Sequence, residues 1–402
     1  MPVTPDGSHS RTPSWGEAVS TLSAPNAPAR PFAEYAVLDA ETLRRRTWDA
    51  KKRLGKRLVV LGHHYQRESV IEFADFRGDS FKLSQLAGQA GEAEYIVFCG
   101  VHFMAESADV LRQPHQTVIL PDLKAGCSMA DMAANPDVED AWDLLTAAHG
   151  DEAFTPVTYM NSTAALKAFC GARGGVVCTS SNASRVLDWA WKQRPGVFFF
   201  PDQHLGRNSA FAMGVPLERM AEWDWRGSDP AAVNARALDA ATRIVLWKGF
   251  CSVHTKFTKQ QVSEVRAADP AVKVIVHPEC PFDVVQAADL AGSTEFIIEH
   301  VRAAAPGTHW AIGTEINLVH RLALEHPEQH VQSLQKNVCP CATMNRIDPA
   351  HMLWAIENLA DGVVVNPIRV PDDVRRDARV ALDRMLELKG DGAVRGADFA
   401  RD

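Results

Sequence analysis

The sequence predicts an α/β fold: three homologous small parallel-sheet α/β domains around a pseudo-threefold axis, with a central active-site cavity. Short apolar runs rich in β-branched residues alternate with longer stretches of helical pattern, which is typical of parallel sheets built from βαβ units. These runs recur in three sets, and each set has runs that end in polar residues and a later loop with a cysteine. Ligands of open parallel sheets bind beyond the carboxyl ends of the strands, so three sheets around one axis would share a single cavity.

Nine predicted strands define the repeat. The interval between the second and third sets is the longer one, because a Trp-rich stretch over 219–243 resembles an insertion. An alternative interpretation is three independent α/β domains with unrelated loops. The predicted strands lie at 58–65, 95–101 and 118–122, then at 156–161, 175–181 and 197–202, and finally at 273–279, 294–298 and 309–315.

The repeat also predicts the domain organisation. The N-terminal stretch is rich in Pro, Ser, Thr and Ala, a composition typical of a disordered tail. The predicted segments are a disordered tail over 1–35, α/β domains over 36–150, 151–255 and 256–390, an insertion at about 209–243 in the second domain, and a flexible C-terminus over 391–402.

Composition excludes several classes of function. The net charge of -8 argues against a nucleic-acid partner, because phosphate binding depends on Lys and Arg. The basic run 51–57 ends a helical pattern, so we interpret it as a solvated helix terminus. No apolar stretch approaches the roughly 18 residues of a membrane span, and the tail has no secretory signal. We therefore expect no membrane association and a cytoplasmic location.

Eight cysteines in such a chain indicate metal ligands or nucleophiles rather than disulfides. One cysteine follows the strands of each third, namely Cys127, Cys251 and Cys339, with Cys341 next to the last. Their wide separation does not fit a zinc finger or ribbon. Thiolates suit iron–sulfur clusters, and three ligands would leave one iron open as a Lewis acid, although spacing alone does not establish this. We expect the other cysteines to be small buried residues: Cys99, Cys170, Cys178 and Cys280.

Polar residues at predicted strand ends are the candidates for chemistry. The third strand of each set ends in an acidic residue. Two of these residues, Asp122 and Asp202, are interpreted as caps or turn formers outside the site. The first strand of each set ends in a His or Tyr with further polar residues: His63-His64-Tyr65, Tyr159-Met160-Asn161 and His277-Pro278-Glu279.

Eleven short motifs occur together and in order, and with them the chain resembles the quinolinate synthase family over roughly residues 58–360. Each motif is weak alone, and their joint ordered occurrence is specific. The motifs are LGHHYQ (61–66), GDS (78–80), PDLKAGCSMAD (121–131), YMNST (159–163), CTSSNA (178–183), FFPDQHLGRN (199–208), GFCSVH (249–254), HPEC (277–280), AGST (291–294), GTEINLVHRL (313–322) and CPCATMNRI (339–347).

The resemblance implies a reaction and a cofactor. Iminoaspartate and dihydroxyacetone phosphate would condense to quinolinate, with loss of phosphate and two waters, in the synthesis of NAD. The resemblance also implies a functional pairing with L-aspartate oxidase, which makes iminoaspartate. The implied cofactor is a [4Fe-4S] cluster with one iron open to substrate and the ligands Cys127, Cys251 and Cys339. Cys339 is preferred over Cys341 because Asn345 follows it at the six-residue distance of the family, while Cys341 remains able to replace it or pair with it.

The resemblance also assigns roles to single residues. Tyr65, Tyr159, His277 and Glu279 are the expected catalytic residues, and the pKa of the confined Glu279 is expected to move toward neutrality. Ser80, Ser180 and Thr294 are expected to bind phosphate at helix starts. The expected substrate-binding residues are His63, Ser80, Tyr159, Asn161, Ser180, His254, His277, Glu279 and Thr294.

Two other classes of function compete with this one. A non-catalytic iron–sulfur redox sensor would use the same thiolates, but the chain has no basic face or helix-turn-helix pattern for DNA. A zinc-dependent hydrolase or lyase would use Cys and His at a mononuclear site. Two features depart from the family: His64 stands where many members have Asn, and GARGG (171–175) lengthens the loop before Ser180.

Overall fold

The computed structural model describes residues 28–226, 238, 241–336, 338–389 and 393–395. The first 27 residues of the predicted tail and most of the predicted flexible C-terminus therefore lie outside the described residues. So does part of the predicted insertion, at 227–237 and 239–240.

The first sheet has four parallel strands in the order β2-β1-β3-β4. Its central strands β1 and β3 are apolar and almost entirely buried, as is usual for parallel sheets, whereas the edge strand β2 is mostly exposed. The strands are Leu58–His63 (β1), Phe76–Gly78 (β2), Tyr95–Cys99 (β3) and Thr117–Ile119 (β4), and the helices are Ala33–Ala36, Ala40–Leu54, Glu68–Ile71, Ser80–Gly88, His102–Leu111, Ser128–Asp131 and Asn135–His149.

The second sheet repeats this order and adds one strand at its edge. Its five strands are parallel, in the order β6-β5-β7-β9-β8. The added strand β8 lies in the segment predicted as an insertion. The strands are Phe154–Tyr159 (β5), Val176–Cys178 (β6), Gly196–Phe200 (β7), Met220–Trp223 (β8) and Ile244–Trp247 (β9), and the helices are Ala164–Ala172, Ala183–Gln193 and Gln203–Ala212.

The third sheet has the order β13-β12-β10-β11-β14, in which only β14 is antiparallel to its neighbour. The strands are Lys273–Val276 (β10), Leu290–Gly292 (β11), His309–Gly313 (β12), His330–Ser333 (β13) and Ala393–Arg395 (β14). The helices are Lys259–Ala268, Phe282–Ala287, Thr294–Ala303 and Ile316–Glu325, and short 3-10 helices lie at Gly55–Arg57, Leu217–Arg219, His254–Lys256 and Met344–Arg346.

One topology underlies all three sheets. Without the added edge strands β8 and β14, each sheet has four strands. Counted along the chain, they lie side by side in the order second, first, third, fourth. The shared order is that of doubly wound folds, whose ligands bind where the order reverses, between the first and third strands. The predicted fold class of three small parallel-sheet α/β units is confirmed.

One predicted strand is wrong. Residues 294–298 begin the helix Thr294–Ala303, and the second strand of the third sheet is Leu290–Gly292 instead. The Ser293 side chain caps this helix by accepting a hydrogen bond from the Phe296 backbone N–H at 3.2 Å. An N-cap serine followed by an amphipathic apolar pattern favours a helix over a strand.

After the third sheet, the chain crosses back to the first two. The helix Pro349–Ala360 packs on Ala40–Leu54, and the helix Asp372–Glu387 packs on Ala164–Ala172. Their apolar side chains join the core of the first two sheets, whereas the third sheet has separate apolar clusters. The predicted bounds 256–390 of the third domain thus contain a segment that stabilises the other two.

The end of the predicted disordered tail is ordered where the structure describes it. Residues 33–36 form a short helix, and Tyr35 is buried against the helix Pro349–Ala360. The Tyr35 hydroxyl donates to Glu357 Oε2 at 2.9 Å. A composition rich in Pro and Ala does not reveal such a contact, because its partner lies more than 300 residues away in sequence. Within the described ranges, no helix combines the length and the apolar character needed to cross a membrane.

Candidate active site

One cavity lies between the three sheets, and the first strand of each sheet supplies residues to it. His63 ends β1, Tyr159 ends β5, and His277 follows β10 directly. The residue two positions further along each segment also lines the cavity, namely Tyr65, Asn161 and Glu279. Equivalent strand ends of three repeated units therefore meet in one place, as the carboxyl-end rule for parallel sheets predicts.

The second strand of each sheet supplies a hydroxyl at an equivalent position. Ser80, Ser180 and Thr294 each lie two residues past the end of β2, β6 and β11, and all three line the cavity. Ser80 and Thr294 are the first residues of helices, and Ser180 precedes the helix Ala183–Gln193. Helix starts present free backbone N–H groups and a partial positive charge, so this side of the cavity suits an anion.

Glu279 is the centre of the polar network. Its Oε1 accepts a hydrogen bond from the Tyr159 hydroxyl at 2.5 Å, and its Oε2 lies 2.8 Å from His254 Nδ1. His254 and His277 stack with ring centroids 4.5 Å apart, and His277 Nδ1 lies 3.9 Å from Glu279 Oε1. The second sheet, the loop after it and the third sheet thus converge on one carboxylate.

The network continues from His254 through a threonine that the sequence did not single out. Thr314 Oγ1 lies 3.2 Å from His254 Nε2 and 2.8 Å from the Tyr65 hydroxyl. The Tyr65 hydroxyl also lies 3.0 Å from Thr294 Oγ1. Each hydroxyl can donate once, so donors can run from Thr294 through Tyr65 and Thr314 to His254, whose Nδ1–H then donates to Glu279. This is a continuous path for a proton.

The electrostatics of the site keep Glu279 ionised. Burial raises the pKa of Glu279, but its electrostatic interactions with His254 and His277 and the hydrogen bonds with His254 and Tyr159 outweigh burial, so the pKa lies below its ordinary value. The expectation of a pKa near neutrality is therefore wrong in direction, because stacked histidines surround the carboxylate. Burial lowers the pKa of His63 and of His277 to about 3, which leaves both imidazoles neutral.

Two phenols and one buried amide also determine which ligand groups the cavity can bind. Burial raises the pKa of Tyr65 and of Tyr159 well above the ordinary value, so both phenols remain protonated donors. Asn161 Oδ1 is buried and has no hydrogen-bond partner among the described residues. A buried acceptor without a partner costs free energy, so its position in a cavity is suited to a donor group of a ligand.

The cysteines divide differently from the expectation. Cys127, Cys251 and Cys341 line the cavity, whereas Cys339 is exposed and is not among its lining residues. Cys127 and Cys341 each lie eight residues past the fourth strand of their sheet, and Cys341, like Cys251, precedes a 3-10 helix by three residues. Burial raises the pKa of Cys127 to about 12, with a further increase from the neighbouring Cys341.

A smaller group of ligand atoms also lies within the cavity. One ligand atom each of Cys251, His254 and Glu279 lies within 4.8 Å of the others, which would suit a single metal ion. Both oxygens of Glu279 and both nitrogens of His254 already have hydrogen-bond partners, however. The group is thus paired within the protein.

Comparison with known proteins assigns the chain. The family model described as quinolinate synthetase A protein matches residues 46–387. This range includes all three sheets apart from β14, and every cavity residue described above. The chain belongs to the quinolinate synthetase A family.

Relatives in this family are similar over most of their length. A quinolinate synthase of Geobacillus thermodenitrificans is 54% identical over 355 residues, which are 88% of this chain and 96% of the relative. One of Corynebacterium glutamicum is 53% identical over 88% of this chain and 90% of its own. One of Acidobacterium capsulatum is 53% identical over 93% of this chain and 100% of its own.

The structure brings together nearly all residues predicted from the sequence. His63, Tyr65, Ser80, Tyr159, Asn161, Ser180, Cys127, Cys251, His254, His277, Glu279 and Thr294 line the cavity, and Cys339 is the exception. Sequence reasoning missed Thr314 and chose against Cys341. The signal for Thr314 was its place directly after β12 in the motif GTEINLVHRL.

Proposed function

We propose that the protein is a quinolinate synthase of NAD biosynthesis, which condenses iminoaspartate with dihydroxyacetone phosphate to quinolinate, phosphate and two waters. The observation that carries the proposal is the cavity itself. Three thiols, an ionised carboxylate with a phenol donor, and three hydroxyls at or shortly before helix starts meet there although they come from all three units. This set matches a substrate pair that brings carboxylates, a phosphate and hydroxyl groups to be lost as water.

The donor set in the cavity fits a [4Fe-4S] cluster on Cys127, Cys251 and Cys341. Soft thiolates from separate segments suit such a cluster, and no fourth cysteine lines the cavity within the described residues. When bound, the cluster supplies an iron without a cysteine ligand, which acts as a Lewis acid toward a substrate carboxylate or hydroxyl.

Cys341 replaces Cys339 in this proposal for a geometric reason. Its backbone N–H donates to Glu315 Oε1 at 3.1 Å, and its carbonyl accepts from the Asn345 N–H at 3.0 Å, so the loop holds it at the cavity. Proline 340 separates the two cysteines, and the adjacent Cys339 is exposed. The position of Cys341 at the cavity therefore supports it as the ligand in place of Cys339.

The residues of the chain then perform binding and proton transfer. Ser80, Ser180 and Thr294, with the N–H groups of the helix starts, hold the phosphate of dihydroxyacetone phosphate. Glu279 takes the proton that must leave carbon during condensation and dehydration, and Tyr159 donates toward the developing oxyanion. His63 and His277 bind as neutral imidazoles, and Asn161 Oδ1 accepts from the substrate nitrogen.

The chemistry of the first substrate also bears on partners and location. An imine hydrolyses in water, so iminoaspartate must arrive soon after an oxidase such as L-aspartate oxidase forms it. None of the eight cysteines forms a disulfide, which agrees with a reducing compartment such as the cytoplasm. We infer functional pairing with such an oxidase in the cytoplasm.

The test begins with protein purified without oxygen. Iron, sulfide and zinc are determined, and quinolinate formation from iminoaspartate plus dihydroxyacetone phosphate is measured. About four irons per chain with product formation supports the proposal. Zinc at one per chain would instead favour the Cys251, His254 and Glu279 group and a mononuclear enzyme, and iron without product would favour a redox sensor.

A matched pair of variants tests the ligand assignment. Cys341→Ser is expected to lose most iron and at least 100-fold in product formation, because a hydroxyl does not replace a thiolate on a soft metal. Cys339→Ser has the same change two residues away and is expected to keep both. The opposite result would restore Cys339 as the ligand.

A further inference from the structure

Asn208 belongs to the second unit, and it contacts the loop of the third unit that carries Glu279. It lies in the helix Gln203–Ala212 of the second unit, and its side chain is buried, with 1% of the residue exposed. Its Nδ2 donates to the carbonyl oxygens of Pro278 at 2.8 Å and of Cys280 at 2.9 Å. These are the residues immediately before and after Glu279.

The orientation of the amide follows from its partners. Both neighbours are carbonyl oxygens, which only accept hydrogen bonds, so the NH2 group of Asn208 must face them. Asn208 Oδ1 has no partner in the described part of the chain. The Asn208 amide therefore donates both of its hydrogens to backbone carbonyl oxygens, one on each side of Glu279.

The helix that presents Asn208 is firmly attached to the second sheet. At Gly206 a Cβ atom would lie 2.6 Å from Leu246 and 2.8 Å from Phe199, so glycine permits close packing of the helix on β7 and β9. The helix start is capped by Asp202, which accepts from the Leu205 N–H at 2.7 Å. Asn208 therefore holds a fixed position relative to the sheet that also carries Tyr159.

This geometry has a consequence for the reacting groups. Tyr159 comes from the second unit and Glu279 from the third, and their 2.5 Å hydrogen bond depends on the relative placement of the two units. Asn208 joins the same two units directly behind Glu279. Reacting groups must be placed within a fraction of an ångström, and an error of about 1 Å can cost 100-fold in rate.

We propose that Asn208 is a positioning residue that sets the Glu279 carboxylate against Tyr159 and His254 by holding the peptides on both sides of Glu279. The proposal deepens the function proposed above and rests on it for its activity readout. Asn208 does not itself contact the cavity, since it acts on the Pro278 and Cys280 carbonyl groups.

Two variants and one control test the proposal. Asn208→Asp keeps the shape but places oxygens opposite two carbonyls, and Asn208→Ala removes both donors. Each is expected to lower kcat between tenfold and 100-fold per iron-loaded chain, with KM changed less than threefold, because the anion side of the cavity is untouched. Ser209→Ala changes an equally buried neighbour whose Oγ has no partner among the described residues, and it is expected to keep kcat within twofold.

A double-mutant cycle separates positioning from a general loss of stability. In a Glu279→Gln background, Asn208→Ala is expected to lower the residual kcat less than twofold, because the group it positions is already gone. Equal effects in both backgrounds would overturn the proposal, and so would full kcat in folded Asn208→Ala. Should Asn208→Asp not fold, Asn208→Ala and the cycle decide alone. Wild-type protein without quinolinate formation would instead contradict the proposed function.

Discussion

Thr314 shows how much of the site depends on a single hydroxyl. It is fully buried, and it is the only described group that joins the Tyr65 hydroxyl to His254. Without it, the phenol of Tyr65 and Nε2 of His254 would each lose a partner inside the protein. An unpaired buried polar group costs about 1–3 kcal/mol, and the proton path would be broken as well.

We predict that Thr314→Val, which preserves shape, lowers kcat by about tenfold or more, because general acid–base contributions are of this size or larger. It should also lower the free energy of unfolding by about 1–3 kcal/mol. Thr314→Ser keeps the hydroxyl and should retain at least half of wild-type kcat. Steady-state kinetics and urea unfolding check both, and equal losses in the two variants would contradict a role for the hydroxyl.

Some features of the site residues can be predicted from the sequence, and others cannot. Tyr159 and Glu279 could be predicted because they end apolar runs, where parallel sheets place ligand contacts. The low pKa of Glu279 could not, because it depends on His254, 25 residues away in sequence, and on the stacking of His254 with His277. Local spacing carries no information on such contacts.

At the scale of elements, close helix contact explains how the C-terminal segment is held. Gly171 lies in the helix Ala164–Ala172, and a Cβ there would be 1.8 Å from the Asp377 backbone oxygen in the helix Asp372–Glu387. A side chain cannot be accommodated at that distance without displacing one helix. The GARGG segment, which the sequence suggested was only a longer loop, thus includes a helix-packing residue.

We predict that Gly171→Ala lowers the free energy of unfolding by about 1–3 kcal/mol, as expected for overpacking. Gly88→Ala is the matched control, because it also lies in a helix but its Cβ would be 3.8 Å from the nearest atom, the Leu111 oxygen. The control should stay within about 1 kcal/mol of wild type or gain stability. Denaturant unfolding of the two proteins measures the difference, and similar values would contradict the packing argument.

One element was predicted wrongly because its short apolar run fits the periodicity of a strand as well as that of a helix. Residues 294–298 contain adjacent apolar residues that suit a strand as well as a helix turn. The helix forms because Ser293 caps it and because Phe296, Ile297 and Val301 pack in one cluster with β10 and β12. Burial against the sheet, rather than local propensity, determines the element.

At the scale of the whole molecule, the first two described helices contact a helix more than 300 residues later in the chain. Glu357, in the helix Pro349–Ala360, accepts from Tyr35 at 2.9 Å and from Arg46 at 2.9 and 2.6 Å. Burial raises the pKa of Glu357, but the hydrogen bonds from Arg46 and Tyr35 outweigh it, so the pKa is below its ordinary value. The carboxylate therefore stabilises the folded state in its ionised form.

We predict that Glu357→Gln lowers the free energy of unfolding at pH 7 by about 2 kcal/mol. The folded-state pKa is the lower one, so the stabilisation is complete above the unfolded pKa of about 4.3 and disappears as pH falls through the folded pKa. The gap between wild type and variant should narrow below about pH 4.5.

Asp49→Asn is the control for Glu357→Gln. Asp49 and Arg45 both lie in the helix Ala40–Leu54 and form an exposed ion pair at 3.9 Å. Surface pairs contribute little, so this variant should stay within about 0.5 kcal/mol of wild type at every pH. Unfolding of the three proteins at several pH values measures the effect. A gap for Glu357→Gln that stays constant with pH would show that charge is not its cause.

By itself, the sequence determined the repeat, the fold class and most cavity residues. These depend on local patterns: β-branched runs of strand length, polar residues at their ends, and the ordered motifs of one family. Only the tertiary structure placed Cys341 at the cavity and left Cys339 exposed, joined Thr314 to His254, and brought residues 349–387 back onto the first two sheets. Such contacts join segments distant in sequence, so their geometry is set by the packing of the three units rather than by neighbouring residues.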